Sequence, residues 1–380
     1  MPAASILIKP ASANCNMDCK YCFYKCLSSH REEYSKGFMQ EETLETLVRE
    51  AIAYADGSLT FAFQGGEPTL AGLDFFQKAV ELQQKYNNKK LQIENTIQTN
   101  GLLIDEKWAR FLGEHRFLVG LSLDGPKKMH DRYRKDAAGQ DTFARIMHSV
   151  QLLEQYHVDY NVVTVVTNDT AKQASFLYKF WKRNHYPFVQ FIPCMDEIKR
   201  QDGTQERSIY AVEPEQYGKF LCELFDLWYA DFVAGETMDI RMFSNLAQMA
   251  AGYPAEECGM NGCCNCYFVV EGDGSVYPCD FYCMDAWKLG TVKDGFVQMK
   301  TSEKAKAFVE ASRPVCATCH ECPYFSLCRG GCRRWREPFV DGKPGLNQLC
   351  SAYRMFFAHA AERMERLGVY IRQKYVGSGK

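Results

Sequence analysis

The sequence predicts an α/β protein in which repeated βα units build a parallel sheet or open barrel and a smaller, cysteine-rich region follows. Three observations carry that expectation. From residue 5 to about residue 192, short apolar, β-branched or aromatic runs alternate with longer amphipathic segments, the pattern of parallel strands joined by crossover helices. The unusual residues gather just after the runs, in QGGEPT, QTNG, SLDGP, VTND and PCMD, where parallel α/β proteins carry their functional loops. Finally, twelve of the 18 cysteines fall between Cys258 and Cys350. That stretch is rich in glycine and poor in long periodic segments, so something other than a large apolar core must hold it.

Taken in order, the expected strands are SILI (5–8), LTFAFQ (59–64), ENTIQT (94–99), FLVGLSL (117–123), YNVVTVV (160–166) and FVQFI (188–192). Their short length and their β-branched and aromatic content separate them from buried helices. Helices are predicted between them over 41–54, 73–86, 106–112, 142–156 and 171–184. Six such units fall short of a full eightfold barrel. The polar stretch DEIKRQDGTQERS (196–208) ends the alternation, and the aromatic-rich segment at 217–234 reads as a bridging helix. The expected divisions are 1–235 for the barrel, 236–350 for the cysteine-rich domain and 351–380 for a C-terminal helix.

At 380 residues, 46% of them hydrophobic, the chain is long enough to bury a sizeable core. Its 45 basic and 47 acidic residues nearly cancel, so neither a nucleic acid nor an anionic membrane surface is expected as a partner. The opening MPAASILIKPAS does not resemble a signal peptide, no 18-residue apolar stretch occurs, and a cytoplasmic location is expected. In a reducing cytosol, 18 cysteines point to metal or cluster ligation rather than to disulfides.

The densest signal is CNMDCKYCFY at 15–24, in which Cys15, Cys19 and Cys22 are spaced C-x3-C-x2-C. A structural zinc site closes with four protein ligands, whereas a cuboidal 4Fe-4S cluster held by three thiolates leaves one iron open. Cys26 is close enough to be a fourth ligand and small enough to be a buried hydrophobe. Farther on, Cys319, Cys322, Cys328 and Cys332 form C-x2-C-x5-C-x3-C, with Gly274-x4-Cys279 ahead of them and Cys350 behind. Taken alone, that second group suits zinc as well as iron.

Together these motifs resemble the radical S-adenosylmethionine (SAM) superfamily, whose signature is C-x3-C-x2-C with an aromatic before the last cysteine, here Tyr21. GGEP at 65–68 resembles the glycine-rich strand end that contacts SAM in that family, and the second half resembles its SPASM extension. The similarity extends over nearly the whole chain to the anaerobic sulfatase-maturating enzymes, in LIKPAS, FAFQGGEPTLAGL, FLVGLSLDGP, CGMNG, FVVEGDGSVYPCDFY and CRGGCRRW. The resemblance implies a partial (β/α)6 barrel followed by a SPASM domain with two auxiliary clusters. SAM and three 4Fe-4S clusters would be the cofactors.

Carried over residue by residue, the resemblance assigns Cys15, Cys19 and Cys22 to the SAM-binding cluster. Cys258, Cys264, Cys279 and Cys332 would ligate the first auxiliary cluster, and Cys319, Cys322, Cys328 and Cys350 the second. Tyr21, Gly65, Gly66, Glu67, Ser122, Arg134 and Met195 match SAM-contacting positions. Asp280 matches the proposed catalytic base, and Tyr277, Phe281 and Tyr282 should give it an apolar, aromatic neighbourhood. Tyr24, Gln64 and Gln98 are candidates to position the peptide, although each suits a core role too. Seven thiols remain: Cys26, Cys194, Cys222, Cys263, Cys266, Cys283 and Cys316. Spacing alone does not exclude Cys263, Cys266 or Cys316 as ligands.

The implied activity is oxidation of a cysteine or serine in a sulfatase polypeptide, within a Cys/Ser-x-Pro/Ala-x-Arg type motif, to Cα-formylglycine. A low-potential donor such as flavodoxin or ferredoxin and a monomeric state are also implied. Two alternatives compete. One is another SPASM peptide-modifying enzyme such as a thioether-forming maturase, which often adds a leader-binding domain, whereas only 14 residues precede Cys15. The other is a non-catalytic zinc or redox protein.

Overall fold

The computed structural model describes residues 3–197, 208–236, 238–339 and 342–377. Most of the expected polar stretch at 196–208 and the last three residues of the expected C-terminal helix lie outside them. One ten-stranded sheet organises the molecule. Its strands in chain order are β1 (Ala4–Ile8), β2 (Ser58–Phe63), β3 (Gln92–Thr99), β4 (Leu118–Ser122), β5 (Tyr160–Val166), β6 (Phe188–Pro193), β7 (Asp239–Ile240), β8 (Val269–Val270), β9 (Ser275–Tyr277) and β10 (Gly290–Thr291).

Strands β1 to β7 pair in sequence order and all in parallel, which is the open, partly wound barrel that six βα units imply. On its other side β1 pairs in parallel with β8, and β9 and β10 continue antiparallel from there. The cysteine-rich region therefore extends the same sheet from the first barrel strand.

The period of two decides which side chains fill the barrel. In β2, Leu59, Phe61 and Phe63 are buried against the surrounding helices. Ser58, Thr60 and Ala62 alternate with them, and Thr60 and Ala62 line an internal cavity of about 1380 Å³. Outside the sheet, Phe76 meets Phe63 at 4.9 Å and Trp108 at 5.2 Å between ring centroids. Such edge-to-face pairs contribute about 0.5–1.5 kcal/mol each beyond their buried area.

Every expected strand is present with ends shifted by at most two residues, and the helices Glu41–Tyr54 and Leu73–Tyr86 match the prediction. The helix expected over 171–184 starts at Ala174 after a 3-10 turn, Thr170–Gln173. The bridging helix starts earlier, at Pro214, because proline is preorganised for the first helical position. It packs along the C-terminal helix Cys350–Gly377. The short helices Phe23–Ser29 and Lys127–Tyr133 and the helix Arg241–Ala250 are not among those expected. No helix among the described residues is long and apolar enough to cross a membrane.

Candidate active site

The loop after β1 brings Cys15, Cys19 and Cys22 to the wall of the large cavity. Asn100, at the end of β3, donates to the Cys15 sulfur at 3.8 Å and to Asn16 Oδ1 at 2.7 Å, tying the loop to the neighbouring strand end. Burial pushes the Cys15 and Cys19 thiols up to about 11 and about 12, so metal ligation there must release protons.

The glycine turn explains its own sequence. A Cβ on Gly65 would lie 2.5 Å from Lys9 Cγ, and one on Gly66 only 2.3 Å from the Asn14 carbonyl oxygen, with φ of +100° and +54°. Only glycine lets β2 end this close to the cysteine loop. Glu67 is buried and points inward. Its carboxylate accepts from Thr69 Oγ1 at 2.6 Å, Thr99 Oγ1 at 2.7 Å and the Asn100 N–H at 2.8 Å, while burial raises its pKa despite those donors. It pins the turn to the end of β3.

Tyr21, Ser122, Arg134 and Met195 all reach the same cavity. Asp124 is the hub beneath them: it accepts from Tyr21 and from the Val165 N–H at 2.9 Å, and it ion-pairs with Arg134 Nε at 3.0 Å. Burial works against the Arg134 charge, but Asp124 overrides it and the guanidinium holds its proton tightly. Gln98 donates to Ser122 at 3.1 Å from the adjacent strand. His130 lies behind this group, bonded to Thr142 at 3.0 Å, and burial lowers its pKa to about 4.

Asp280 enters from the opposite side, on the loop after β9, and faces the cavity that the three thiols line. Its surroundings differ from the expected apolar, aromatic ones. Lys9 lies 2.8 Å from Oδ1, and the Tyr24 hydroxyl donates to Oδ2 at 2.6 Å while receiving a bond from Gln64 at 2.7 Å. Tyr267 accepts the Asp280 backbone N–H at 3.0 Å. Behind them Glu271 pairs with Arg31 at 2.7 Å and accepts from Ser12 at 2.7 Å. Burial opposes the Lys9 charge, but Asp280 and Glu271 more than offset that, so its pKa is raised. Tyr277 packs instead with Leu7, Leu27 and Cys283 in a small apolar cluster, and Tyr282 packs beside Cys279 and Phe308. Sequence reasoning missed Lys9 and Glu271. A lysine ending an otherwise apolar strand, SILIK, is the signal that marks Lys9.

None of the 18 cysteines is in a disulfide. Cys258, Cys264, Cys279 and Cys332 form one neighbourhood: burial raises the pKa of each, and Cys264 acts on Cys258, Cys332 on Cys279, and Cys258 and Cys264 on Cys332 in the same direction. Cys319, Cys322, Cys328 and Cys350 line a second, small pocket. Among the described residues no three His, Cys, Asp or Glu side chains converge closely enough to hold a single metal ion. Of the spare thiols, Cys266 packs into the main core and Cys283 into the cluster around Leu7. Cys316 lies 3.5 Å from the Cys319 sulfur.

Comparison with known proteins matches the radical SAM superfamily over residues 10–179 and an iron-sulfur cluster-binding domain over residues 262–323. The chain is 47% identical to the cysteine-type anaerobic sulfatase-maturating enzyme of Clostridium perfringens, covering 96% of this chain and 98% of that one. It is 34% identical to the serine-type enzyme of Bacteroides thetaiotaomicron, covering 95% and 90%. A solved structure of native anSMEcpe with bound AdoMet and Cp18Cys peptide superposes with a TM-score of 0.92 at 45% identity, over 97% of this chain and 100% of that one. Streptococcus suis SuiB with S-adenosylmethionine shares the fold at 16% identity and a TM-score of 0.61.

Proposed function

We propose a function from a premise that the relatives establish: this chain belongs to the anaerobic sulfatase-maturating enzymes of the radical SAM superfamily. It oxidises a cysteine or serine of a sulfatase polypeptide to Cα-formylglycine. The observation that carries this reading is that Asp280, braced by Lys9 and Tyr24, opens onto the cavity walled by Cys15, Cys19 and Cys22. At about 1380 Å³ that cavity exceeds an ordinary small-molecule pocket, leaving room for a nucleoside cofactor and a length of peptide.

Three thiolates at Cys15, Cys19 and Cys22 suit a 4Fe-4S cluster with one open iron. When bound, that cluster and SAM supply a 5'-deoxyadenosyl radical able to take a hydrogen atom from the substrate Cβ. Arg134, Tyr21 and Ser122 shape the wall on the SAM side, and Glu67 acts by holding the glycine turn rather than by presenting its carboxylate. Asp280 takes the proton of the substrate thiol or hydroxyl on a carboxylate oxygen, while Tyr24 and Gln64 keep that carboxylate aimed into the cavity. Cys258, Cys264, Cys279 and Cys332 and, in the second set, Cys319, Cys322, Cys328 and Cys350 would hold two auxiliary 4Fe-4S clusters, which would supply an acceptor for the second electron. For a cysteine substrate, water then replaces the sulfur, which departs as hydrogen sulfide.

Cysteine is the preferred target. The cysteine-type relatives stand at 47% and 43% identity, the serine-type at 34% and 30%. The chain works as a cytoplasmic monomer, reduced by a low-potential donor of the flavodoxin or ferredoxin kind. Its units are 1–235, 236–350 and 351–380, a division supported by the family matches over 10–179 and 262–323. The test is anaerobic incubation with SAM, reductant and matched Cys-x-Pro-x-Arg and Ser-x-Pro-x-Arg peptides, read by mass spectrometry. An aldehyde forming faster on the cysteine peptide is expected. Intact peptides alongside robust SAM cleavage would overturn the reading.

A further inference from the structure

The segment after Cys332 buries three arginines, and they are not alike. Arg334 ion-pairs with Glu337 at 3.3 Å. Arg333 and Arg336 are only 5% and 2% exposed, yet among the described residues neither has a carboxylate partner. Arg333 donates to the Phe308 carbonyl at 2.7 Å and lies over the rings of Tyr282, Trp287 and Phe308. Arg336 donates to the carbonyls of Ser312 at 2.7 Å and Pro314 at 3.0 Å. The Nε of each is buried without a hydrogen-bond partner. Carbonyl dipoles and ring faces only partly offset the desolvation of a guanidinium, and a buried charge normally requires an opposite one. Among the described residues no carboxylate supplies the anion that balances these two.

The position of Arg336 says what supplies it. Arg333 directly follows Cys332 of the first set and lies over the Tyr282 ring that packs beside Cys279, whereas Arg336 reaches towards both sets. Nη1 lies 3.7 Å from where a Cβ on Gly330 would stand, in the loop joining Cys328 to Cys332. The residue whose carbonyl Nη2 bonds, Ser312, also receives the Cys264 N–H on its hydroxyl at 2.7 Å. Arg336 thus stands between the two thiol groups.

We propose that Arg336 is the shared counter-cation of the two auxiliary 4Fe-4S clusters, a positioning residue that raises both reduction potentials, and that Arg333 serves the first cluster alone. The inference rests on the cluster assignment made above. A cluster ligated by four thiolates is an anion whose charge grows by one with each electron accepted, so a buried cation favours the reduced form. An electron removed from the substrate after its proton reaches Asp280 therefore finds a better acceptor, which later passes it to the external carrier.

The test uses the loaded full-length chain and its Arg336→Gln and Arg336→Lys variants, with iron and sulfide content and both auxiliary midpoints measured by EPR-monitored titration. Arg336→Gln should lower both midpoints, and Arg336→Lys, which keeps the charge, should stay near the parent. Loss of iron from the Gln variant but not from the Lys variant would support the same conclusion. Unchanged midpoints in the Gln variant, an equal fall in both variants, or loss of iron from both would overturn it. A parent chain that never binds about 12 iron atoms would instead remove the cluster assignment, so the two failures are distinct.

Discussion

Around β1 to β6, rings and aliphatic chains are buried against one another in a continuous core, with Phe63, Phe76, Phe117 and Trp108 at its centre. From Cys258 to the start of the last helix, the longest described helix is the eight residues Glu303–Glu310, and the strands are two or three residues long. What this second region buries includes charge: Glu271, Asp280, Arg333, Arg334 and Arg336. The difference teaches that the barrel is stabilised by its own apolar surface, while the cysteine-rich region, with short elements and with Arg333 and Arg336 buried without a described carboxylate partner, depends on bound inorganic clusters. Four substitutions and one chelation experiment break or sharpen that contrast.

The largest effect is expected from Cys22→Ala. Aldehyde formation should vanish, while far-UV circular dichroism and the barrel's melting remain near the parent's. A collapse of the barrel would show that its core is not self-sufficient. Asp280→Asn should keep iron content and SAM cleavage but lower aldehyde formation by about 10²–10⁴-fold; product at the parent rate would remove Asp280 from the reaction. Chelating the iron should strip hydrogen-exchange protection from 258–349 and leave β2 to β4 protected. Equal loss in both regions would erase the contrast.

Two smaller effects test the barrel's own polar details. His130 is held neutral, its pKa lowered to about 4 chiefly by burial, with Asp124, Arg134, Asp131 and Lys127 as the charged groups acting on it. Because the unfolded chain binds that proton from about pH 6.5 downward and the native one does not, stability should fall between pH 6.5 and about 4. The total is on the order of 3 kcal/mol. Denaturant melts of His130→Asn should lack that part of the slope. Gly65→Ala should cost about 2 kcal/mol through its positive φ and the approach to Lys9, read as a lower melting temperature.

The barrel was legible because one period governs each element. β5, Tyr160–Val166, falls on the β-branched run that marked it, and the helix Glu41–Tyr54 falls where amphipathic spacing puts it. The helix Phe23–Ser29 was not legible: it is only seven residues long, and its N-cap Cys22 supplies no capping hydrogen bond. At the site, motif spacing found the cysteine groups and the resemblance to the maturating enzymes singled out Asp280, but neither showed that Lys9 and Tyr24 hold its carboxylate. Lys9 and Asp280 lie 271 positions apart in the chain, and only the β1–β8 pairing brings their segments together. The stretch SLDGP marks a functional loop but names no partner for Asp124. Its role as the shared partner of Tyr21 and Arg134 depends on contacts from two separate segments.

The seam between β1 and β8 bears on how this polypeptide can be dissected. A truncation ending at residue 235 would leave the backbone groups of β1 that meet Phe268, Val269 and Val270 without partners, converting an interior strand into an unprotected edge open to edge-to-edge aggregation. The catalytic barrel is thus a poor candidate for expression as a stand-alone fragment, whether or not its own three cysteines can be charged with iron.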